Sequence, residues 1–475
     1  MSHPIYETVM GLEVHVQLLT QTKLFSSAST AFGKTPNLNA CEIDLALPGT
    51  LPVLNKKAVE IAIRLGLALK AKIHPESVFA RKHYFYPDLS KGYQISQMDA
   101  PIVMNGKLEI ENGKVIHIQR AHLEEDAGKS IHDAHKTLTA LDFNRAGTPL
   151  LEVVTDPDFR TIEEVLSYLK KLHHLVRYLG ISDGNMQEGS FRVDVNLSIR
   201  RKGDKKYGTR VEIKNLNSFR FIEKAIEVET ERQIHALESG EKLVQETRLF
   251  DPDLAETRSM RSKETAQDYR YFPDPDLLPV SVDPEWIRAI QAEMPEMPWV
   301  RIARYKKHYG LSSDDVDVLM QQQGISDYFE KMVELSQDAK RSANWIIGDI
   351  LPKLQEEKLS IKECPLIPEH LAQLIQKIQS NVLSSKTAKT AFSHLWQQNG
   401  SLDEIITREN LAQVSDTAAL QKQVDELFEK FPSQIQELRD GKEKVMGFLL
   451  GQVMKASQGK ANPEEVQRLI RKRIG

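Results

Sequence analysis

Cysteine is nearly missing from this chain: Cys41 and Cys364 are the only two among 475 residues. A framework of disulfides is thereby excluded, and such scarcity suits a reducing compartment. Long apolar runs are missing too, since no stretch approaches the roughly twenty residues that span a bilayer. Met1 to Met10 has neither the charged and apolar regions of a secretory signal nor the Arg-rich pattern of a transit peptide, so a cytoplasmic location is expected. Charge is balanced: 63 Lys and Arg against 67 Asp and Glu leave a net charge of -4. That carries no chain-wide nucleic-acid signature and confines any RNA contact to local basic patches. No GxSxG elbow or Ser-Lys arrangement is present to activate a serine nucleophile. Lys129 after Gly128 is similar to the end of a phosphate loop, but the other glycines of a Walker motif are missing.

What is present is a set of five short apolar stretches, each carrying one or two acids where a buried strand would normally have none. They are Gly11 to Leu18, Ala121 to Asp126, Pro149 to Val154, Phe191 to Ile199 and Arg210 to Leu216. In Phe191 to Ile199 the alternation is strict, with Phe191, Val193, Val195, Leu197 and Ile199 on one face and Arg192, Asp194, Asn196 and Ser198 on the other. Arg210, Glu212 and Lys214 alternate with Val211 and Ile213, and Glu13, His15 and Gln17 with Leu12, Val14 and Val16. Should these faces converge, each desolvated carboxylate costs several kcal/mol unless a cation or donor compensates it. Oxygen donors with at most one imidazole favour Mg2+ over zinc, and Mg2+ implies phosphate chemistry. The competing reading pairs the acids with Arg192, Arg210 and Lys214 on the same strands, giving a polar sheet face open to water.

The length leaves room for about two to four domains. Strand-like alternation mixed with helices, such as Thr161 to Gly180 with its Thr161/Glu164 capping box, gives way near residue 290 to a proline cluster and then to helical periodicity alone. The expected class is α+β: a large mixed α/β domain over 1–293, a helical domain over 294–407 and a small helical tail over 408–475, where Leu411, Val414, Leu420, Val424 and Leu427 start a fresh pattern. Arg439 to Gly475 has nine Lys or Arg against four Asp or Glu, an excess of five that could track an RNA backbone or simply be a solvated helix surface. Gly447 and Gly451 stand at GxxxG spacing, for which close helix packing or close backbone approach to a ligand is expected.

These residues also carry a resemblance. The string Leu141-Asp142-Phe143-Asn144-Arg145-Ala146-Gly147-Thr148-Pro149-Leu150-Leu151-Glu152 is similar to the signature of the B subunits of aspartyl/glutamyl-tRNA amidotransferases, the GatB family. So are Gly11 to Val16, Tyr84 to Asp88, His122 to Lys129, Lys214 to Ser218 and Asp268 to Pro273, while Gly447 to Pro463 resembles that family's tail. The resemblance spans essentially the whole chain and implies that 1–293 is a cradle-like catalytic domain and 408–475 a tRNA-binding tail. It implies ATP-dependent phosphorylation of the side-chain carboxylate of glutamyl-tRNA(Gln) or aspartyl-tRNA(Asn), then displacement of phosphate by ammonia. As partners it implies an amidase-type glutaminase, which releases the ammonia, and a small third protein that braces the pair into a heterotrimer. ATP and Mg2+ are the implied cofactors and a misacylated tRNA the implied substrate.

Carried over position by position, the resemblance places Glu13, His15, Glu124, Glu152, Asp194 and Glu212 in the metal pocket, and Glu125 with Lys82 at the mouth of an ammonia channel. Glu124, Glu125, Asp194, Glu212 and Lys82 are thus the expected catalytic set. Strand parity agrees in part, since Ile118, Arg120, His122 and Glu124 share one face, with Glu125 pointing oppositely. Read from the residues alone, Arg192, Arg210 and Lys214 are candidates for phosphate contacts, or equally for salt bridges that keep the acids ionised. Tyr84, Phe85 and Tyr86 are candidates for stacking on an adenine or terminal tRNA base, or for core packing. One departure stands out: where many relatives have Cys-x-x-Cys, this chain has Cys41-Glu42-Ile43-Asp44, so a structural zinc is not expected. Two rival functions fit the acids as well, a metal-dependent RNA phosphodiesterase and a non-catalytic tRNA-binding scaffold.

Overall fold

The computed structural model describes residues 3–131, 138–262, 269–413, 417–457 and 461–474. Val414, Asp268 and Gly475, named above, lie outside the described residues. The chain forms two compact units, Met1–Pro298 and Trp299–Gly475.

The first unit is mixed α+β. Its strands run in chain order as β1 (Tyr6–Gln17), β2 (Lys72–Ile73), β3 (Glu76–Ser77), β4 (Ala80–His83), β5 (Tyr93–Ser96), β6 (Val103–Glu109), β7 (Val115–Glu125) and β8 (Lys129–Ile131). Then come β9 (Ala140–Asp142), β10 (Pro149–Thr155), β11 (Phe191–Arg201), β12 (Val211–Lys214), β13 (Glu246–Asp251), β14 (Glu256–Ser262), β15 (Phe272–Pro273) and β16 (Val280–Ser281). Nine of them build one sheet in the order β14-β13-β12-β11-β1-β10-β7-β6-β2, and β15-β4-β5 build a second. Among the described residues of the large sheet, β12 and β13 are the one parallel pair.

All five acid-bearing stretches fall on adjacent strands of this sheet, so the alternation read from the sequence has a physical outcome. Leu12, Val14, Val16, Leu123, Leu151, Val153, Val193, Val195 and Leu197 are buried on one face. Each such side chain contributes roughly 1.5–3 kcal/mol, and a one-residue slip would turn all of them to the acid face, so the register is strongly specified. Helices α1 (Lys56–Ala68), α2 (Ile162–Tyr178) and α3 (Phe219–Glu238) belong to this unit, with α1 packed on β6 and β7 and α3 on β11 and β14. The cap of α2 is only half the predicted box: Thr161 accepts the Glu164 N–H, but the Glu164 carboxylate reaches back to the N–H of Arg160 and to Lys114.

Residues 18–55 are irregular, and a buried ion pair ties them down. Lys23 Nζ lies 2.9 Å from Asp44 Oδ2, and the same carboxylate accepts from the Ser26 hydroxyl and the Cys41 N–H. Asp44 closes the Cys41-Glu42-Ile43-Asp44 string, so a buried charge pair stands at the departure noted in the sequence.

In the second unit the elements are helices. A π-helical turn over Ile346–Ile350 links the helices Ala339–Trp345 and Leu351–Glu357. Toward its end, Leu420, Val424, Leu427, Met446, Leu449, Val453, Val466, Leu469 and Ile470 form one hydrophobic cluster. Gly447 and Gly451 face outward, and a Cβ on either would meet open space. The expected close helix packing at these glycines is therefore absent, because the buried face of that helix is Met446, Leu449 and Val453.

Candidate active site

The polar face of the large sheet is assembled by register. On β1, Glu13 stands opposite Asp194 of β11, and His15 opposite both Arg192 of β11 and Glu152 of β10. Glu152 in turn is opposite His122 of β7. Further along, Asn196 is opposite Glu212 of β12, and Glu212 opposite Thr247 of β13. Directly opposed side chains on one sheet face stand about 5 Å apart, so residues spread over a long sequence meet in a few rows.

Two clusters result. In one, His15 Nε2 lies 3.5 Å from both Glu124 Oε1 and Glu152 Oε2, and His122 Nε2 lies 3.2 Å from Glu152 Oε2 and 3.7 Å from Glu124 Oε2. Ser96 also donates to Glu124. Burial alone would hold His122 neutral, but the charge of Glu152 and hydrogen bonds to Glu124 and Glu152 outweigh it and push its pKa up to about 9. His15 is raised against burial by the same two carboxylates, and Glu152 is held well below the usual carboxylate range by His122 and His15, again against burial. The group is a buried network of two imidazoles and two carboxylates.

The second cluster is all oxygen. Glu13, Asp194 and Glu212 bring one carboxylate oxygen each within 4.8 Å of one another. Lys214 Nζ sits 2.6 Å from Asp194 Oδ2 and 3.3 Å from Glu212 Oε1. Asn196 donates to Glu13 and Thr247 to Glu212. Burial would depress Lys214, yet Asp194 and Glu212 raise it well above the ordinary lysine range. Three converging carboxylates stabilise a cation here, and an oxygen donor set of this kind fits Mg2+.

Both clusters open into one cavity of about 610 Å³, also bordered by Lys82, Arg120, Arg210 and Tyr271. Lys82, on β4, is raised despite its burial, by Tyr271, Glu124 and Glu152. Its Nζ lies over the rings of Tyr269, at 5.0 Å, and Tyr84, at 5.8 Å. Tyr84 contacts Tyr86 and Tyr269 edge-on, so two of the family-like strings meet as an aromatic lip, helped by the pairing of Phe272 with Arg81. Phe85 and Tyr86 are exposed, which rules out core packing for them.

Two family models match this chain: one described as the GatB/GatE catalytic domain over residues 8–288, the other as the GatB domain over residues 327–474. The chain belongs to this family. A protein of Thioalkalivibrio sulfidiphilus, named as the B subunit of an aspartyl/glutamyl-tRNA(Asn/Gln) amidotransferase, is 54% identical over 474 residues, covering 99% of both chains. Proteins of the same name from Coxiella burnetii (strain CbuG_Q212) and Nitrosococcus oceani are 54% and 52% identical, over 99% of this chain and 100% and 99% of their own.

Of the residues singled out from the sequence of this GatB-family chain, six fall into the two groups: His15, Glu124 and Glu152 in one, and Glu13, Asp194 and Glu212 in the other. Glu125 does not join them. Its carboxylate is taken by Lys91 Nζ at 2.6 Å and by the Ile95 N–H at 2.9 Å. Lys82 faces the Glu124 cavity instead of Glu125. Arg192 is bonded to Asp126, at 3.0 Å, and Lys214 to Asp194 and Glu212, so both make salt bridges. Arg210 precedes β12 and is exposed at the cavity rim. His122, Asp126, Asn196 and Thr247 are additions that the structure makes, although the parity that places His122 beside Glu124 is a sufficient signal for the first.

Proposed function

We propose that this chain is the kinase and transamidase component of a tRNA-dependent amidotransferase, a glutamine-dependent carbon-nitrogen ligase. It phosphorylates the side-chain carboxylate of glutamyl-tRNA(Gln), aspartyl-tRNA(Asn) or both, and ammonia then displaces the phosphate. The convergence of six potential metal ligands from five strands into two neighbouring groups on one sheet face, in a chain 54% identical to amidotransferase B subunits, supports this reading.

The chemistry follows from the electrostatics. A carboxylate is a poor electrophile and needs a leaving group, and phosphoryl transfer is catalysed mainly by positioning and charge stabilisation. Glu13, Asp194 and Glu212 would hold Mg2+, which when bound neutralises charge on the transferred phosphoryl group. His15, Glu124 and Glu152 form the neighbouring ligand group, with His122 orienting the two carboxylates from behind. Lys214, raised and therefore cationic at neutral pH, and Arg210 at the rim bring positive charge to the phosphates. Lys82 and the tyrosine lip lie where the aminoacyl end would enter. Glu125, with Lys91, stands on the far side of β7 and is assigned to the path of ammonia. An amidase-type glutaminase supplies that ammonia, and a small third protein completes a heterotrimer in the cytoplasm. The tail, 408–475, is assigned to tRNA binding.

The assay is direct. The assembled complex is incubated with glutamyl-tRNA(Gln), ATP and ammonium while ATP hydrolysis and conversion of the attached amino acid are followed. ATP-dependent amidation is expected. Cleavage of the RNA backbone would replace this reading with a phosphodiesterase, and absence of ATP turnover with a scaffold.

A further inference from the structure

Arg120 lines the acid cavity, yet among the described residues it forms no ion pair. It stands on the polar face of β7 in register with Val154 of β10, and Val154 is in turn opposite Glu13 of β1. One apolar residue thus separates the guanidinium from the oxygen trio, at two strand spacings or about 10 Å. Two residues further along β7, His122 lies 3.2 Å from Glu152 and 3.7 Å from Glu124, so the nearest carboxylates are already engaged. One terminal nitrogen of Arg120 donates to the Gln119 amide oxygen at 3.0 Å, and Nε is buried without a hydrogen-bond partner.

A desolvated donor with no acceptor opposes folding, and such a group calls for a functional explanation. Position narrows what it could hold. Lys214, held by Asp194 and Glu212, and Arg210 at the rim lie at the β12 end of the cavity, whereas Arg120 is four strand spacings away on β7. The β7 end is also where β4 and β5 lie against the sheet, since Ser96 donates to Glu124 and the Ile95 N–H to Glu125. Lys82 and the tyrosine lip come with them. An unpaired guanidinium presents a planar fork that a carboxylate matches with two parallel hydrogen bonds. Because the neighbouring carboxylates already have partners, this one must arrive with a substrate.

We propose that Arg120 grips the side-chain carboxylate of the aminoacyl group and is the residue by which the site tells an acidic side chain from its amide. This inference rests on the amidotransferase reading above. It places the group to be activated on one side of the oxygen trio and the phosphate-facing cations on the other. It also separates substrate from product. The amide formed by the reaction carries no charge and turns its own N–H donors toward the fork, donor against donor, so the grip loosens once amidation is complete.

Glutamyl-tRNA(Gln) and glutaminyl-tRNA(Gln) differ by one side-chain charge, so their binding to the assembled complex without ATP isolates this contact. The unmodified complex is expected to hold the glutamyl form roughly 10–100-fold tighter. Arg120→Gln is expected to abolish that preference and to lower ammonium-dependent kcat/KM by a similar factor. Its affinity for glutaminyl-tRNA(Gln), and its calorimetric binding of ATP with Mg2+, should be unchanged. Arg120→Lys keeps the charge without the fork, should retain only part of the preference, and keeps the test decisive if Arg120→Gln does not fold. Equal weakening of both tRNA forms, or no preference in the unmodified complex, would overturn the assignment, as would an undiminished preference in Arg120→Lys. Weakened ATP binding would make Arg120 a phosphate contact and overturn it equally. Should the unmodified complex show no ATP-dependent amidation, it is the amidotransferase reading that fails.

Discussion

Glu124 and Glu125 are adjacent in the chain and face opposite sides of β7: Glu124 lies 3.5 Å from His15 Nε2, whereas Glu125 lies 2.6 Å from Lys91 Nζ. The two substitutions should therefore part company. Glu124→Gln is expected to abolish amidation with either glutamine or free ammonium. Glu125→Gln is expected to retain ammonium-dependent amidation and to lose most of the glutamine-dependent rate. It should also be destabilised by about 3–5 kcal/mol, since it leaves the half-buried Lys91 uncompensated. Parallel rate assays with the two nitrogen sources check this, and identical behaviour of the variants would refute the division.

Asp194→Asn and Glu212→Gln each remove one charge from the oxygen trio. Both are expected to lower ammonium-dependent amidation by at least about 100-fold, in line with the cost of losing one electrostatic stabiliser of a transition state. Binding of glutamyl-tRNA(Gln) should hardly change. Retained activity would take these residues out of the metal site.

The His122 network predicts a pH dependence with a defined sign. Its pKa is raised to about 9, so in metal-free protein its contribution to stability is complete below its unfolded value near 6.5. That contribution is lost as the pH rises through about 9. Thermal melts in chelator should fall across this window, by on the order of 1 kcal/mol per pH unit, and His122→Asn should flatten the curve. Mn2+ binding to the His15, Glu124 and Glu152 group must release protons, so its affinity should rise over the same range. Titrations in buffers of different ionisation enthalpy read the proton count.

Truncating the tail at Arg439 would be a poor test of tRNA binding, because Met446, Leu449, Val453, Val466, Leu469 and Ile470 share a core with Leu420 and Val424. Charge removal is cleaner. Arg468 and Arg471 are paired with Glu465 and Glu443, while among the described residues no ion pair engages Lys444, Lys455 or Lys472. Changing these three lysines to Gln should weaken tRNA binding. The slope of log affinity against log salt should become shallower by roughly 0.7–0.9 per lost phosphate contact. Glutamine hydrolysis by the partner should be spared.

The sheet is legible in the sequence because alternation is local: Phe191 to Ile199 announces its own two faces, and β11 runs one residue pair further, to Arg201. The same pattern puts Arg210 on a strand, but β12 begins at Val211, since the Gly208 turn sets the strand's start. Glu13, His15, Glu124 and Glu152 are recognisable because they sit in family-like strings, whereas Asp194 and Glu212 are marked in the sequence by strand alternation. His122 is easily passed over, because a lone imidazole on a half-apolar strand is normally packing, and only the register with Glu152 gives it a role. Residues 18–55 are opaque: their geometry depends on distant bonds such as those of Asn37 and Asn39 to the 141–144 loop.

Lys23 is wholly buried, and its partner Asp44 nearly so, which gives the pair a consequence for the living cell. Asp44→Ala should lower stability by about 3–5 kcal/mol in denaturant titrations by stranding an ammonium in the interior, and zinc chelation should not reproduce the effect. A loop clasped by thiols can be undone by an oxidant or by a famine of zinc. Here it is fastened by a lysine and an aspartate, which neither condition can reach.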